Sequence, residues 1–282
     1  MAASSNNAQK STPSTLEGLQ RDPDINSEQT SSSNQEVEPQ LASLSLRENV
    51  VVIPLQTQGG SHVPSARTMA LVRDIGGLDK LRMFTNRFYQ HAFEDPHIDQ
   101  FLRSHEDPHG ERFATWIAEK LGGNLSGNPW TENRNTRPSC PFHVPGRGNF
   151  EVKDRSSAHF AAWHSPKREP GSFGEHFKLD DCRNWMRLHF WAARETGLFD
   201  EHPAFTNYYV KFIGHFISVY ERKAPPFARE SARWSSDPAN IEAYRAAGNR
   251  MTDVLGQTYQ QALSDLTPLE RKQVNWPYEA SE

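Results

Sequence analysis

The residues most able to do chemistry in this chain are its histidines. There are twelve in 282 residues, yet none stands in a familiar chelating pattern. No HExxH pair occurs, and no set of Cys and His has zinc spacing. His159 and His164 are five residues apart, so they do not share a helix face, and a chelating pair there is disfavoured. The two cysteines, Cys140 and Cys182, make neither a disulfide framework nor a Cys-only zinc site. GxGxxG, GxxxxGK[ST] and GxSxG are all missing, so the usual hydrolase and phosphoryl-transfer signatures are absent. The adjacent carboxylates Asp180 and Asp181 fall where a helix begins, and there they cap backbone amides.

The elements that must position these histidines are helical. Leu78, Leu81, Phe84, Phe88 and Ala92 recur at three and four. Asp95-Pro96 closes that segment, because a residue before proline leaves the helical region. Phe113, Trp116, Ile117 and Leu121 mark a second helix, ended by Gly122-Gly123. Cys182, Trp185, Met186 and His189 share a face of a third, which Gly197 can end. The fourth starts at Pro203 and carries a stripe of Phe205, Tyr208, Tyr209, Phe212, Ile213, Phe216, Ile217 and Tyr220, with Pro225-Pro226 as its stop. So wide an aromatic face is either deeply buried or borders something large. Residues 124–152 are rich in Pro, Asn, Gly and Arg and read as an insertion.

A planar apolar cofactor held by one histidine needs this composition, and haem iron commonly takes one proximal imidazole. A helical bundle whose aromatics merely pack together needs it equally well. The order of motifs separates the two. Ile75-Gly76-Gly77-Leu78 comes first, then Arg87-Phe88-Tyr89-Gln90-His91-Ala92-Phe93-Glu94-Asp95-Pro96, then Phe101-Leu102. Phe113-Ala114-Thr115-Trp116 through Gly122-Gly123 follows, then Arg155-Ser156-Ser157-Ala158-His159, then Gly174-Glu175-His176-Phe177 with Trp185 beyond. Over roughly residues 68–222 this order resembles the truncated (two-over-two) haemoglobins, and Trp185 resembles their second group.

The resemblance implies an all-α, globin-like sandwich around haem b. It implies His159 as proximal iron ligand, with His164 and His176 as rivals. Tyr89 and Trp185 would be distal donors to a diatomic ligand. Phe88, Phe101, Leu102, Phe113 and Trp116 would be walls, together with Ile117, Phe177, Met186, Phe212 and Ile213, and Arg155 would reach a haem propionate. The chain departs from the family in three places. Leu102 falls where the family has an aromatic at the haem edge, with Phe101 one position early. Residues 124–152 and roughly 165–173 are insertions. Both termini run past the compact family pattern.

Residues 1–66 read as a disordered tail and linker: 1–49 have no aromatic residue and cannot bury enough apolar surface to offset chain entropy. Residues 67–225 read as the haem domain. Residues 226–282 read as a polar extension with one helix, whose sparse seam of Ile241, Tyr244, Met251, Leu255 and Ala262 could dock on the domain or on a partner. Seven acids and three bases within residues 1–50 carry the whole net charge of −4, so the remainder is neutral. A neutral body offers no footprint for nucleic acid and no polybasic membrane signal. No apolar run approaches a membrane span and no signal-peptide core is present, so a cytoplasmic protein is expected.

The expected function is binding of a diatomic gas (O2, NO or CO) at a pentacoordinate iron, with dioxygen first. Haem-dependent nitric oxide dioxygenase or peroxidase-like activity, fed by an external reductase, is the second expectation. A haem-free globin fold used for protein interaction is the third.

Overall fold

A computed structural model describes residues 52–122, 129–133 and 140–272. The expected disordered tail therefore lies outside the described residues up to position 51. The described residues form one compact unit.

The chain enters through a small hairpin, β1 (Thr57–Gln58) and β2 (Ser61–His62), with Thr57 opposite His62. Gly59 and Gly60 both have positive φ (54° and 79°), the backbone that a tight two-residue hairpin demands. A linker was expected here. Instead the hairpin is fastened to the body, because His62 is buried and its Nε2 lies 2.5 Å from the Tyr208 hydroxyl.

Helix α1 (Ala66–Asp74) starts at a capping box in which Ser65 and Thr68 each bond the other's backbone amide. Helix α2 (Gly77–Glu94) buries Leu81, Phe84, Thr85, Phe88, His91 and Ala92, the stripe read from the sequence with two polar additions. Asp95 then caps α3 (Pro96–Asp99), accepting from the amides of His97 and Ile98 at 2.9 and 2.8 Å. Helix α4 (His109–Lys120) crosses α2 closely. A Cβ on Gly110 would sit 1.9 Å from Asn86 Oδ1, and Thr85 Oγ1 donates to the Gly110 carbonyl at 2.8 Å. A Cβ there would also come within 3.1 Å of Asn86 Cα, so glycine eases the close approach of the two helices, and the crossing sets His109, Arg112 and Phe113 beside Tyr89 and Phe88.

Beyond α5 (Pro129–Glu132), part of the expected insertion is a second hairpin, β3 (Cys140–Val144) with β4 (Gly148–Val152). Phe142, Val144 and Val152 turn to one side of it and pack with Ala161 of α6 (Arg155–Trp163) in a small separate cluster. Asp154 and Ser157 form the capping box that starts α6. A 3-10 turn (Pro170–Ser172) leads to α7 (Leu179–Glu195), which is buried along most of its length. Of the two carboxylates expected to cap α7, Asp181 accepts from the Lys178 amide at 2.7 Å, while Asp180 accepts from Gly256 at 2.7 Å.

Helix α8 (Leu198–Glu201) precedes α9 (Pro203–Ile217), the aromatic helix. It ends at Ile217, well before Pro225-Pro226. The segment past Pro226 forms four short helices rather than one: α10 (Phe227–Trp234), α11 (Pro238–Ala246), α12 (Tyr259–Ser264) and α13 (Pro268–Lys272). Its seam docks inward, since Tyr244, Met251 and Ala262 join the main core and only Leu255 is exposed. Arg183 and Arg187 of α7 anchor it. Arg183 bonds Gln257 and Asp265, each at 2.8 Å, and Arg187 bonds Asp253 at 2.5 Å and also Glu230. The described residues are thus predominantly α-helical, with thirteen helices and two minor hairpins.

Candidate functional site

A cavity of about 480 Å³ opens between α2, α4, α6, α7 and the end of α9, within the size range of small-molecule and cofactor sites. One wall is aromatic and belongs to α2, α4 and α7. Phe88 stands edge-on to Trp185 at 5.3 Å, and Tyr89 stacks on His109 at 4.9 Å. The other wall belongs to α6 and its neighbours. There the His159 ring stands edge-on to Tyr220 at 4.5 Å and to Phe177 at 5.5 Å. Phe101 joins the two groups by meeting Phe177 at 5.2 Å.

Of the residues expected at the site, the structure brings His159, Tyr89, Trp185, Phe88, Phe101, Leu102, Phe113, Trp116 and Phe177 to this cavity, with Ile213 and Arg155. Leu102 and Phe101 both line it. Three expected wall residues stand outside the lining. Ile117 and Met186 are fully buried in the main core. Phe212 turns to the entry hairpin, where it meets His62 at 5.1 Å. One-residue steps on a helix turn a side chain by about 100°, which takes Ile117 and Met186 off the face that carries Trp116 and Trp185.

The three rival histidines separate clearly. His164 bonds its own helix through Nδ1 to the Phe160 carbonyl at 2.8 Å and faces a different pocket beside Gly174. His176 is exposed and stacks on Trp163 at 3.9 Å. Only His159 of the three lines the main cavity. Its Nδ1 is buried with no partner among the described residues. Burial, with the Arg155 charge adding to it, depresses its pKa from 6.5 to about 3. His159 is therefore a neutral imidazole at pH 7, the form that binds a metal.

Tyr89 and Trp185 are half-buried, and the surface each leaves uncovered faces the cavity. Neither the Tyr89 hydroxyl nor the Trp185 indole N–H has a hydrogen bond among the described residues. Burial pushes the Tyr89 phenol well above its ordinary range, so it keeps its proton and can donate it in a hydrogen bond. Trp185 is held by stacking on His189 at 4.4 Å, and His189 in turn bonds the Tyr209 hydroxyl at 2.9 Å.

Sequence reasoning missed the polar end of the cavity, made by Arg103, Asp107, His109, Arg112 and Cys140. Arg112 donates to Cys140 Sγ at 2.8 Å, and Cys140 donates to Asp107 at 2.8 Å. Both cysteines line this cavity. Burial raises the pKa of each, so each stays a thiol. The spacing of His109, Arg112 and Phe113 on one helix was the available signal.

Among the described residues no group of three or more His, Cys, Asp or Glu could hold a bare metal ion. No helix among them is long and apolar enough to cross a membrane. Compared with known proteins, the chain matches no family model, no curated protein and no solved structure.

Proposed function

We propose that this chain is a haem protein of the truncated two-over-two globin kind, which binds dioxygen or another diatomic ligand at a pentacoordinate iron held by His159. One observation carries the reading. A neutral, unpartnered histidine shares an aromatic cavity with two hydrogen-bond donors, Tyr89 and Trp185, that have nothing to bond.

The residues fit haem b. The group brings four nitrogen ligands of its own, so one protein imidazole suffices where a bare ion would need a cluster. The apolar walls match the macrocycle, and Arg155, whose Nη1 is buried without a partner, could pair with a carboxylate of the group. When bound, the haem supplies an iron with one open position for a small ligand. Tyr89 and Trp185 then donate to a ligand that gains negative charge on binding, which slows its release. Phe88, Phe113 and Trp116 exclude water. An external reductase would keep the iron in its ligand-binding state. The interaction reading would have gained from an exposed His159, and His159 instead faces the cavity.

Absorption spectra of ferric and dithionite-reduced protein, with and without carbon monoxide, test the reading. A Soret band that shifts with carbon monoxide is expected. His159→Ala should lose stable haem. Absence of a band after haem reconstitution overturns the proposal. Retained haem with an unaltered ferrous spectrum in His159→Ala would move the ligand elsewhere.

A further inference from the structure

We infer that the pocket between the β3–β4 turn and the end of α6 binds a small carboxylate that has an apolar body and an N–H or O–H of its own. Arg147 holds the carboxylate, and Nε2 of His164 accepts from the donor. The inference stands apart from the haem reading, since neither residue lines the main cavity.

The pocket is built where two stretches that read as insertions meet. Val144, Pro145 and Arg147 come from the β3–β4 hairpin, and Phe173 comes from the segment after α6. His164, Gly174 and Glu175 complete it, and its volume of about 400 Å³ is within the range of small-molecule sites.

His164 is the fixed point. It is only 6% exposed, packed on Phe160 at 4.2 Å and edge-on to Phe173 at 5.2 Å. Its Nδ1 lies 2.8 Å from the Phe160 carbonyl, which can only accept, so Nδ1 carries a proton. Nε2 of the neutral ring therefore keeps a lone pair, and it has no hydrogen bond among the described residues. Gly174 keeps the space in front of it open. The φ there is +83°, and a Cβ would lie 3.3 Å from Nε2. A largely buried ring nitrogen that opens only on a pocket is matched by water or by a ligand that brings a donor.

The charge of the ligand follows from Arg147 and Glu175. The Glu175 carboxylate is already matched by Lys178 Nζ at 2.6 Å, which holds its pKa below the ordinary value. Arg147 has no ion pair or side-chain hydrogen bond among the described residues. The cation left over is a guanidinium, whose planar fork fits a carboxylate. Phe173, 36% exposed, gives the pocket an aromatic wall beside Pro145. One cation beside an apolar wall favours a singly charged carboxylate over a doubly charged phosphate.

Calorimetry on the full chain tests this with N-acetyl-L-phenylalanine, which has all three features. A Kd of about 0.5 mM is expected, ordinary for a ligand of that size. N-acetyl-L-phenylalaninamide lacks the charge, and O-acetyl-L-3-phenyllactate has an ester oxygen in place of the N–H. Each should bind about ten-fold more weakly. Arg147→Gln changes an exposed turn and should leave the fold alone, and in that variant the acid and the amide should bind alike. Nitrogen-15 spectra should show Nε2 of His164 moving as N-acetyl-L-phenylalanine is added, with Nδ1 still protonated. No binding at concentrations well above that Kd overturns the inference, as do equal affinities for N-acetyl-L-phenylalanine and its ester analogue. Binding that Arg147→Gln does not weaken, with the His164 resonance unmoved, puts the probe elsewhere and overturns it too. None of these outcomes depends on whether the chain takes up haem.

Discussion

Helix α7 faces two polar regions that obey opposite rules. On one face Arg183 and Arg187, 0% and 2% exposed, meet the C-terminal segment. Each finds a carboxylate, Asp265 or Asp253, with Glu230 between them, and each lies over a ring, Phe227 or Trp234. Only their Nε atoms lack partners. On the other face, the Tyr89 hydroxyl and Trp185 indole N–H open onto the cavity without a protein partner, and His159 Nδ1 is buried without one. Leaving a buried polar group unpaired costs about 1–3 kcal/mol. On the haem reading proposed above, the bound group and its ligand would supply the partners that the cavity side lacks.

Removing a partner from the satisfied face gives the largest expected effect. Glu230→Leu leaves two buried guanidinium groups sharing fewer carboxylates, at a cost of about 3–5 kcal/mol. Chemical denaturation of the variant should show it as a fall in midpoint at unchanged slope. A loss below about 1 kcal/mol would mean that the C-terminal segment is merely laid on α7, and the contrast between the faces would fail.

His62 stands between the two cases. Its Nε2 has the Tyr208 hydroxyl, while its Nδ1 is buried and unpaired. Burial lowers its pKa from 6.5 to about 4, with the His215 and Lys120 charges adding to it. The unfolded chain therefore takes up a proton below about pH 6.5 that the folded chain refuses until about pH 4. Stability falls as pH drops through that window, on the order of 2 kcal/mol from this group. Thermal midpoints at pH 7.5 and 4.5 should differ less in His62→Gln than in the parent chain. Equal pH slopes would show that the hairpin opens before the rest unfolds.

How much of this was readable in advance follows the same division. The helical stripes of α2, α4 and α7 were legible because one apolar face at a 3.6-residue period is a local pattern. Eleven of the fourteen expected site residues reach the cavity, since those faces point there. The three that do not, Ile117, Met186 and Phe212, lie on stripes too wide for spacing to tell the cavity side from the core side. The β3–β4 hairpin was hidden because Phe142 pairs with Phe150 across a turn in a stretch dominated by breakers. The C-terminal seam was legible as able to dock on the domain or on a partner, but the ion pairs that fasten it were not. Charge pairs between residues 66 and 82 apart in sequence hold it, and a hydrophobic seam does not record them. His109 and Arg112 carry no motif beyond their spacing on one helix, and the crossing of α2 and α4 makes them neighbours of Tyr89.

The unsatisfied face makes the smallest but most diagnostic prediction. Tyr89→Phe removes a hydroxyl that has no protein partner, so the native fold loses no hydrogen bond, and stability should change by less than about 0.5 kcal/mol. The same change should speed dioxygen release from the reduced haem protein about ten-fold, which corresponds to roughly 1.4 kcal/mol at the ligand. The two readouts must disagree for the comparison to hold. Were the hydroxyl bonded within the protein, its loss would lower stability and leave the release rate nearly unchanged. If release is unaffected and stability is also unaffected, the hydroxyl serves neither fold nor ligand, and Trp185 becomes the donor to test next.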